Sequence, residues 1–403
     1  MAGSAMGRGI KGVVAGGNVG ELPPPDAEQQ AHSERLQDHI REVMSVEGGR
    51  ISFARFMELA LYAPGLGYYS AGSRKFGEGG DFVTAPELSP LFSRTLARQC
   101  QDVLARISGD ILEFGAGRGV MAADILAELE RLDSLPKHYY IMEISGDLRE
   151  RQRETIQERV PQLMERVVWL DVLPEAFEGV VLGNELIDAM PVHRFRIHGG
   201  EPHELFVMWD GERFVFDEEA PDAALYSRLK ALQNQFHLSE RYESEINLIA
   251  EEWVVGLGRW LKRGVALLID YGFPATEYYH PQRSGGTVMC HYRHRAHDDA
   301  LTLVGLQDIT AHVDFTAIAE AALKAGLSVR GFANQANFLI ACGLTELLTQ
   351  QPDDARVQLT QAAEIKTLTQ PSEMGELFKV IALTRGWEGG LRGFALRDER
   401  SRL

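Results

Sequence analysis

Four carboxylates in this 403-residue chain stand where an apolar run gives way to a polar turn: Glu113, Glu143, Asp171 and Glu185. A fifth, Asp188, follows three residues after the last of them. In "ILEFGAGRGV", residues 111–120, Glu113 precedes glycines at alternate positions, Gly115, Gly117 and Gly119. Glycines let the backbone turn sharply from strand to helix and approach a ligand closely. A dinucleotide loop would place its third glycine at position 120, where Val120 stands, and a phosphate loop would need a lysine that is absent here. An acid just before the turn discourages a pyrophosphate and suits a cationic ligand.

The acids further along extend the pattern. "YYIMEIS" ends an apolar stretch at Glu143, where a carboxylate can accept hydrogen bonds from ribose hydroxyls. Glu143 lies 30 residues beyond Glu113, which implies a long intervening helix at about 120–132. "VVWLDVLPE" puts Asp171 just after the next strand, near where an adenine would lie. Acid, glycines, acid and acid in this order resemble a class I S-adenosylmethionine (SAM)-dependent methyltransferase, in which Glu113 would meet the amino group of the methionyl moiety. The plainer reading of Glu143 or Asp171 taken singly is a solvated strand-end acid.

"VVLGNELIDAMPVHRF", residues 180–195, carries the remaining candidates. The strand ends at Asn184–Glu185. Ligands of such sheets sit beyond the carboxyl ends of the strands, so Glu185 and Asp188 would face the transferred group, with Asn184 on the cofactor side. Each acid also reads as a helix N-terminal charge. His193 reads as a packing residue. Asp270 and Tyr271 end a later strand and border the same pocket, and Asp314 reads as the cap of the helix that follows it.

These residues need a scaffold. Strands are expected at 110–114, 138–143, 166–170, 179–184 and 265–270, alternating with helices, which predicts a parallel α/β sheet with covered faces. A helical N-terminal region spans 33–108, with a helix start at Ser89–Pro90. The methyltransferase domain spans 109–386. Residues 195–264 form an insertion of short antiparallel strands, with turns at Gly199–Gly200 and Asp210–Gly211, then a helix over 241–264 ending at Gly264. Residues 1–32 and 387–403 read as flexible tails.

Net charge is −17, which disfavours nucleic-acid binding. Cys100, Cys290 and Cys342 lie far apart, which fits neither a disulfide framework nor a metal site and suits a reducing cytosol. No apolar run approaches the ~20 residues of a membrane span.

The segments "GEGGDFVTAPELSPLF", "ILEFGAGRG", "VVLGNELIDAMPV", "LLIDYG", "ITAHVDFTAIAEAA", "QANFLIACG" and "MGELFKVIALTRG" together resemble the MidA family, over about residues 34–386. That family includes the mitochondrial complex I assembly methyltransferase, which symmetrically dimethylates an arginine of a core subunit. The resemblance implies a Rossmann-like class I SAM-dependent fold with SAM held by Gly115, Gly117 and Glu143. It also implies that residues 79–87, with Gly80 and Asp81, close over the cofactor through a moving glycine loop at 77–80. The substrate would be an arginine-bearing protein subunit, and Glu185 and Asp188 would hold its guanidinium. Cytoplasm is the expected compartment, or the mitochondrial matrix in a eukaryote. Where the family pattern reads GTLRGY this chain has GTVMCHY at 286–292, a departure that bears on substrate choice. A small-molecule N- or O-methyltransferase and a non-catalytic SAM-binding assembly factor remain alternatives.

Overall fold

The computed structural model describes residues 22–71, 84–349 and 355–403. The expected 77–80 loop, with Gly80 and Asp81, lies outside the described residues. The chain runs through α1 (Ala27–Val46), β1 (Arg50–Ser52), α2 (Phe53–Tyr62), α3 (Ala85–Leu88) and α4 (Pro90–Leu104) into β2 (Asp110–Phe114), α5 (Val120–Arg131), β3 (Tyr139–Met142), α6 (Gly146–Arg159), β4 (Val167–Leu170) and β5 (Phe177–Asn184). The insertion follows as β6 (His193–His198), β7 (Glu201–Trp209), β8 (Phe214–Glu219), α7 (Ala223–Phe236), β9 (Glu243–Ile246) and α8 (Leu248–Trp260). Then come β10 (Leu261–Phe273), α9 (Ala275–Tyr278), β11 (Met289–Tyr292), β12 (Arg295–His297), β13 (Asp308–Thr310), β14 (Val313–Asp314) and α10 (Phe315–Lys324). β15 (Ser328–Asn334), α11 (Gln335–Ala341), α12 (Leu344–Leu348), α13 (Ala355–Thr369), α14 (Met374–Leu377) and β16 (Phe378–Arg385) complete the order.

The main sheet has the strand order β15-β16-β10-β5-β2-β3-β4, with β14 added beside β10. β10, β5, β2, β3 and β4 are mutually parallel; β16 runs antiparallel to β10, and β15, antiparallel to β16, returns to the direction of the others. β5 and β10 are almost continuously buried, as expected of parallel strands covered on both faces. The chain winds outward from β2 through β3 to β4, then crosses back to place β5 on the other side of β2. That reversal opens a crevice beyond the carboxyl ends of β2 and β5, where ligands of open α/β sheets bind.

The local signals act as expected. Ser89 caps α4 with Pro90 at its first position, α5 covers the long helix after the glycine turn, and Asp314 accepts the amides of Thr316 and Ala317 at 3.0 and 3.2 Å. Four expectations need correction. The first helix begins at Ala27, not after 32, because Asp26 and Gln29 form a reciprocal capping box. The N-terminal region is not wholly helical: β1 pairs antiparallel with β7 of the insertion in a sheet ordered β1-β7-β6-β9, with β8 also pairing β7. The stretch 241–264 is not one helix. Residues Glu243–Ile246 pair with β6, and α8 stops at Trp260. Gly264 belongs to β10, where an added Cβ would lie 2.0 Å from the Gly179 oxygen; close strand approach, not helix termination, requires the glycine there. Finally, 387–403 is no loose tail. Trp387, Leu391 and Phe394 are buried in the main core, and the Gly393 amide donates to Gln99 at 2.9 Å.

Among the described residues no helix is long and apolar enough to cross a membrane, and no metal-binding group of His, Cys, Asp and Glu occurs. The three cysteines are buried and free.

Candidate active site

The glycine turn joins β2 to α5. Gly115, Gly117 and Gly119 all have left-handed backbones, with φ of 63°, 52° and 83°. Most side chains would strain such a turn. An added Cβ on Gly117 meets no atom of the described residues within 4 Å, so among them the turn faces open space. Glu113 lies behind it, buried, and accepts the Tyr139 hydroxyl at 2.6 Å. Burial pushes its carboxyl up to about 7, against the lowering effect of that hydrogen bond.

Glu143 stands on the next strand over. One carboxylate oxygen accepts the Ser145 amide at 2.9 Å, and the other accepts Gln152 Nε2 at 3.1 Å. Gln152 also donates to the Gly117 carbonyl at 2.9 Å, tying the acid to the glycine turn. Asp171 sits at the rim, with its side chain 84% exposed, bound to Arg149 at 2.6 Å. Arg149 reaches the carbonyls of Glu143 and Leu170 at 2.7 and 2.8 Å, so one guanidinium clamps the ends of β3 and β4. Ile144 and Val172, the residues after Glu143 and Asp171, are 72% and 75% exposed. Paired apolar groups at the rim suit a flat aromatic ring, and sequence reasoning missed both. An exposed apolar residue directly after each strand-end acid was the available signal.

Across the crevice, the residue after β5 is strained. Glu185 has φ 49°, outside the usual range for a residue with a side chain, and its amide donates to Ile269 O at 2.9 Å. Asn184 Nδ2 donates to its carboxylate at 3.1 Å. Burial, and then the charge of Asp188, raise the Glu185 carboxyl well above the usual range, while the Ala85 amide acts to lower it. Asp188 is 5% exposed, and burial pushes it up to about 6 against the Tyr271 hydroxyl facing it. Asp270 lies near the end of β10, which runs on to Phe273 rather than stopping at 270, and is raised well above its ordinary value by burial, Asp188 and Glu185. Tyr62 roofs this group, donating to the Ala189 carbonyl at 2.9 Å. Asp188 Oδ1 and Asn184 Oδ1 are buried with no hydrogen-bond partner among the described residues. Buried acceptors without donors are costly, and a carboxylate group without a cation more so. A cation that brings N–H donors would satisfy these acceptors.

The structure thus brings Gly115, Gly117, Gly119, Glu143 and Asp171 to one side of the crevice, and Asn184, Glu185 and Asp188 to the other. His193 faces elsewhere, 2.7 Å from Glu204. Asp270 and Tyr271 support the acids, and their contact with the 185–188 turn spans some 80 residues of sequence.

The open cradle at Gly117, the buried acceptor Glu143 and the apolar rim fit an adenosyl group, while Glu113, expected to meet the amino group of the methionyl tail, is buried against Tyr139 instead. Comparisons with known proteins agree. A family described as "Putative S-adenosyl-L-methionine-dependent methyltransferase" matches residues 95–333. A Burkholderia thailandensis protein, solved bound to S-adenosyl-homocysteine, is 46% identical over 95% of this chain and 100% of that one, with a TM-score of 0.91. The Caenorhabditis elegans homologue of protein arginine methyltransferase NDUFAF7, mitochondrial, is 26% identical, covering 90% of this chain and 89% of its own. The human protein arginine methyltransferase NDUFAF7, mitochondrial, is 28% identical, with 83% and 80% covered.

Proposed function

We propose that this chain, which belongs to that family of SAM-dependent methyltransferases, places the methyl group on a guanidinium nitrogen of an arginine in a protein partner. The observation that carries the reading is the pair of unpartnered buried acceptors, Asn184 Oδ1 and Asp188 Oδ1, in a turn that also holds Glu185. A guanidinium offers five N–H donors in a planar fork and keeps its charge, so it satisfies acceptors and carboxylates together. The names of the curated relatives lend it further support.

SAM, when bound, supplies an electrophilic methyl on a sulfonium sulfur. The Gly115–Gly119 turn would hold it through backbone groups, Glu143 through its ribose hydroxyls, and Ile144, Val172 and Asp171 at the adenine. Arginine nitrogen is a poor nucleophile, because its lone pairs are delocalised and its pKa exceeds ~12. Two carboxylates bound to the nitrogens that do not react draw positive charge toward themselves and leave the third nitrogen richer in electrons. Glu185 and Asp188 take that role. Both would hold the attacking nitrogen in line, a constraint that can supply several kcal/mol of the barrier. One of the two acids also meets the attacking nitrogen and accepts the proton released on transfer.

The test couples two measurements on the purified protein. Calorimetric titration with S-adenosylhomocysteine reads the cofactor site. Transfer of labelled methyl from SAM into cell protein, followed by acid hydrolysis, reads the product. Methylarginine as the labelled amino acid is the expected outcome. Label confined to small molecules would replace the protein-arginine reading with a small-molecule acceptor. Binding without any transfer would point to an assembly factor.

A further inference from the structure

A cleft of about 270 Å³ lies beside the Glu185–Asp188 turn, on the side of the insertion. α7 and α9 form one wall, and the starts of α8 and α10 form the other. Its inner end is made by Ile187, which sits within the acid turn, and by His312. The His312 ring stacks on Phe273 and meets Tyr271 edge-on, with centroids 5.4 and 5.0 Å away. Tyr271 is the residue whose hydroxyl faces Asp188. The cleft therefore ends one aromatic ring away from the acids proposed to hold the reacting arginine.

Two features of the cleft point to an occupant. The first is charge. Glu245, Glu251, Asp314 and Glu320 line it against Arg228 and Lys324. Arg228 is already committed to Glu251 by hydrogen bonds of 2.8 and 3.1 Å. Burial pushes the Asp314 carboxyl up to about 7, and Glu251 and Glu320 act in the same direction. A cation in the cleft relieves that repulsion, and an anion adds to it. The second is His312, which is buried with no hydrogen-bond partner at Nδ1. Burial lowers its pKa to about 4, so the ring is neutral and can exchange a hydrogen bond with a peptide group. Phe236 and Tyr279, stacked at 5.2 Å, offer apolar surface for the aliphatic stem of a basic side chain.

We propose that this cleft is the docking groove for the polypeptide substrate and takes a lysine or arginine side chain flanking the arginine to be methylated. The proposal rests on the protein-arginine reading above. The insertion then has a function: β9 and α8 supply Glu245 and Glu251, two of the acids that select basic sequence context.

The test uses fluorescence anisotropy at low salt, with S-adenosylhomocysteine present. The probe is a fluorescein-labelled peptide with a central arginine and a lysine three residues to either side. A second peptide has norleucine for both lysines, and a third has citrulline for the arginine. Glu320→Lys and Lys324→Glu change side chains that are 59% and 60% exposed, 4.0 Å apart and outside the acid turn, so both variants fold. Glu320→Lys should weaken the lysine peptide about fivefold and Lys324→Glu should tighten it, with the norleucine peptide indifferent to both. Equal responses of the lysine and norleucine peptides, or no binding of the lysine peptide by the wild type, overturn the groove. If citrulline makes no difference to binding, the arginine reading fails as well; if citrulline weakens binding while the lysines are without effect, only the groove fails.

Discussion

Asp270 holds the backbone of Asp188. Its Oδ2 accepts the amides of Ile187 and Asp188 at 2.9 and 3.2 Å, from a strand end 82 residues further along the chain. β10 thereby fixes the turn that follows its neighbour β5, and the candidate acids keep their positions without a covalent link. Three carboxyls, Glu185, Asp188 and Asp270, share this volume; burial raises all three, and the charge of Asp188 raises Glu185 and Asp270 further.

Replacing Asp270 with asparagine sets an NH2 group against those two amides. The turn should shift, and kcat should fall by about 10²-fold while S-adenosylhomocysteine affinity stays within about twofold, since small misplacements at a reacting centre are costly. Paired kinetics and calorimetry check this, and loss of cofactor affinity in step with kcat would show that the turn serves the cofactor instead.

Glu185→Gln should separate binding from transfer. The neutral amide keeps the shape and loses the charge that orients the guanidinium. Cofactor affinity is expected to persist while kcat falls by about 10²-fold or more. Unchanged turnover would remove Glu185 from the reaction.

Gly117→Val tests the cradle. Its φ of 52° strains a β-branched residue by about 1–2 kcal/mol, and the new side chain points into the open space of the turn. Calorimetry should show no S-adenosylhomocysteine binding by a protein that still unfolds cooperatively.

Acidity should act on activity and stability in opposite senses. Burial pushes the Asp188 carboxyl up to about 6 and raises Glu185 well above its usual range. Below that range the acids are neutral and cannot pair with a guanidinium, so kcat/KM should climb as pH rises through about 6. The folded chain meanwhile binds a proton that the unfolded chain, with an ordinary aspartate near 3.9, has already released. Folding stability therefore declines from about pH 4 to above 6. Asp188→Asn should raise Tm by about 2 °C at pH 8 while abolishing transfer, a trade of function for stability. A lower Tm in scanning calorimetry would contradict the buried charge.

The C-terminal segment should prove structural. Phe394 packs edge-on against Phe338 at 5.3 Å, and Phe394→Ala should cost about 3–5 kcal/mol. Denaturant titration reads this, and a change under 1 kcal/mol would return the segment to the status of a tail.

What the sequence determined by itself is local. The glycine turn after β2, the acids after β3, β4 and β5, the Ser89 and Asp314 caps and the runs of parallel strand all express constraints that act within a few residues. A left-handed turn, a helix start or a strand buried on both faces leaves its mark on the residues that form it. What only the tertiary structure decided are relationships between distant segments. β1 joins the insertion sheet across some 150 residues, Gly264 is demanded by Gly179, and 387–403 is drawn into the core by Gln99 and Phe338. Asp270 reads in sequence as one more strand-end acid, and its hold on Asp188 follows only from β10 lying beside β5. Hydrogen bonds and cavities between such segments impose no period on either one, so the sequence carries the parts of the site while the packing of the sheet assembles them.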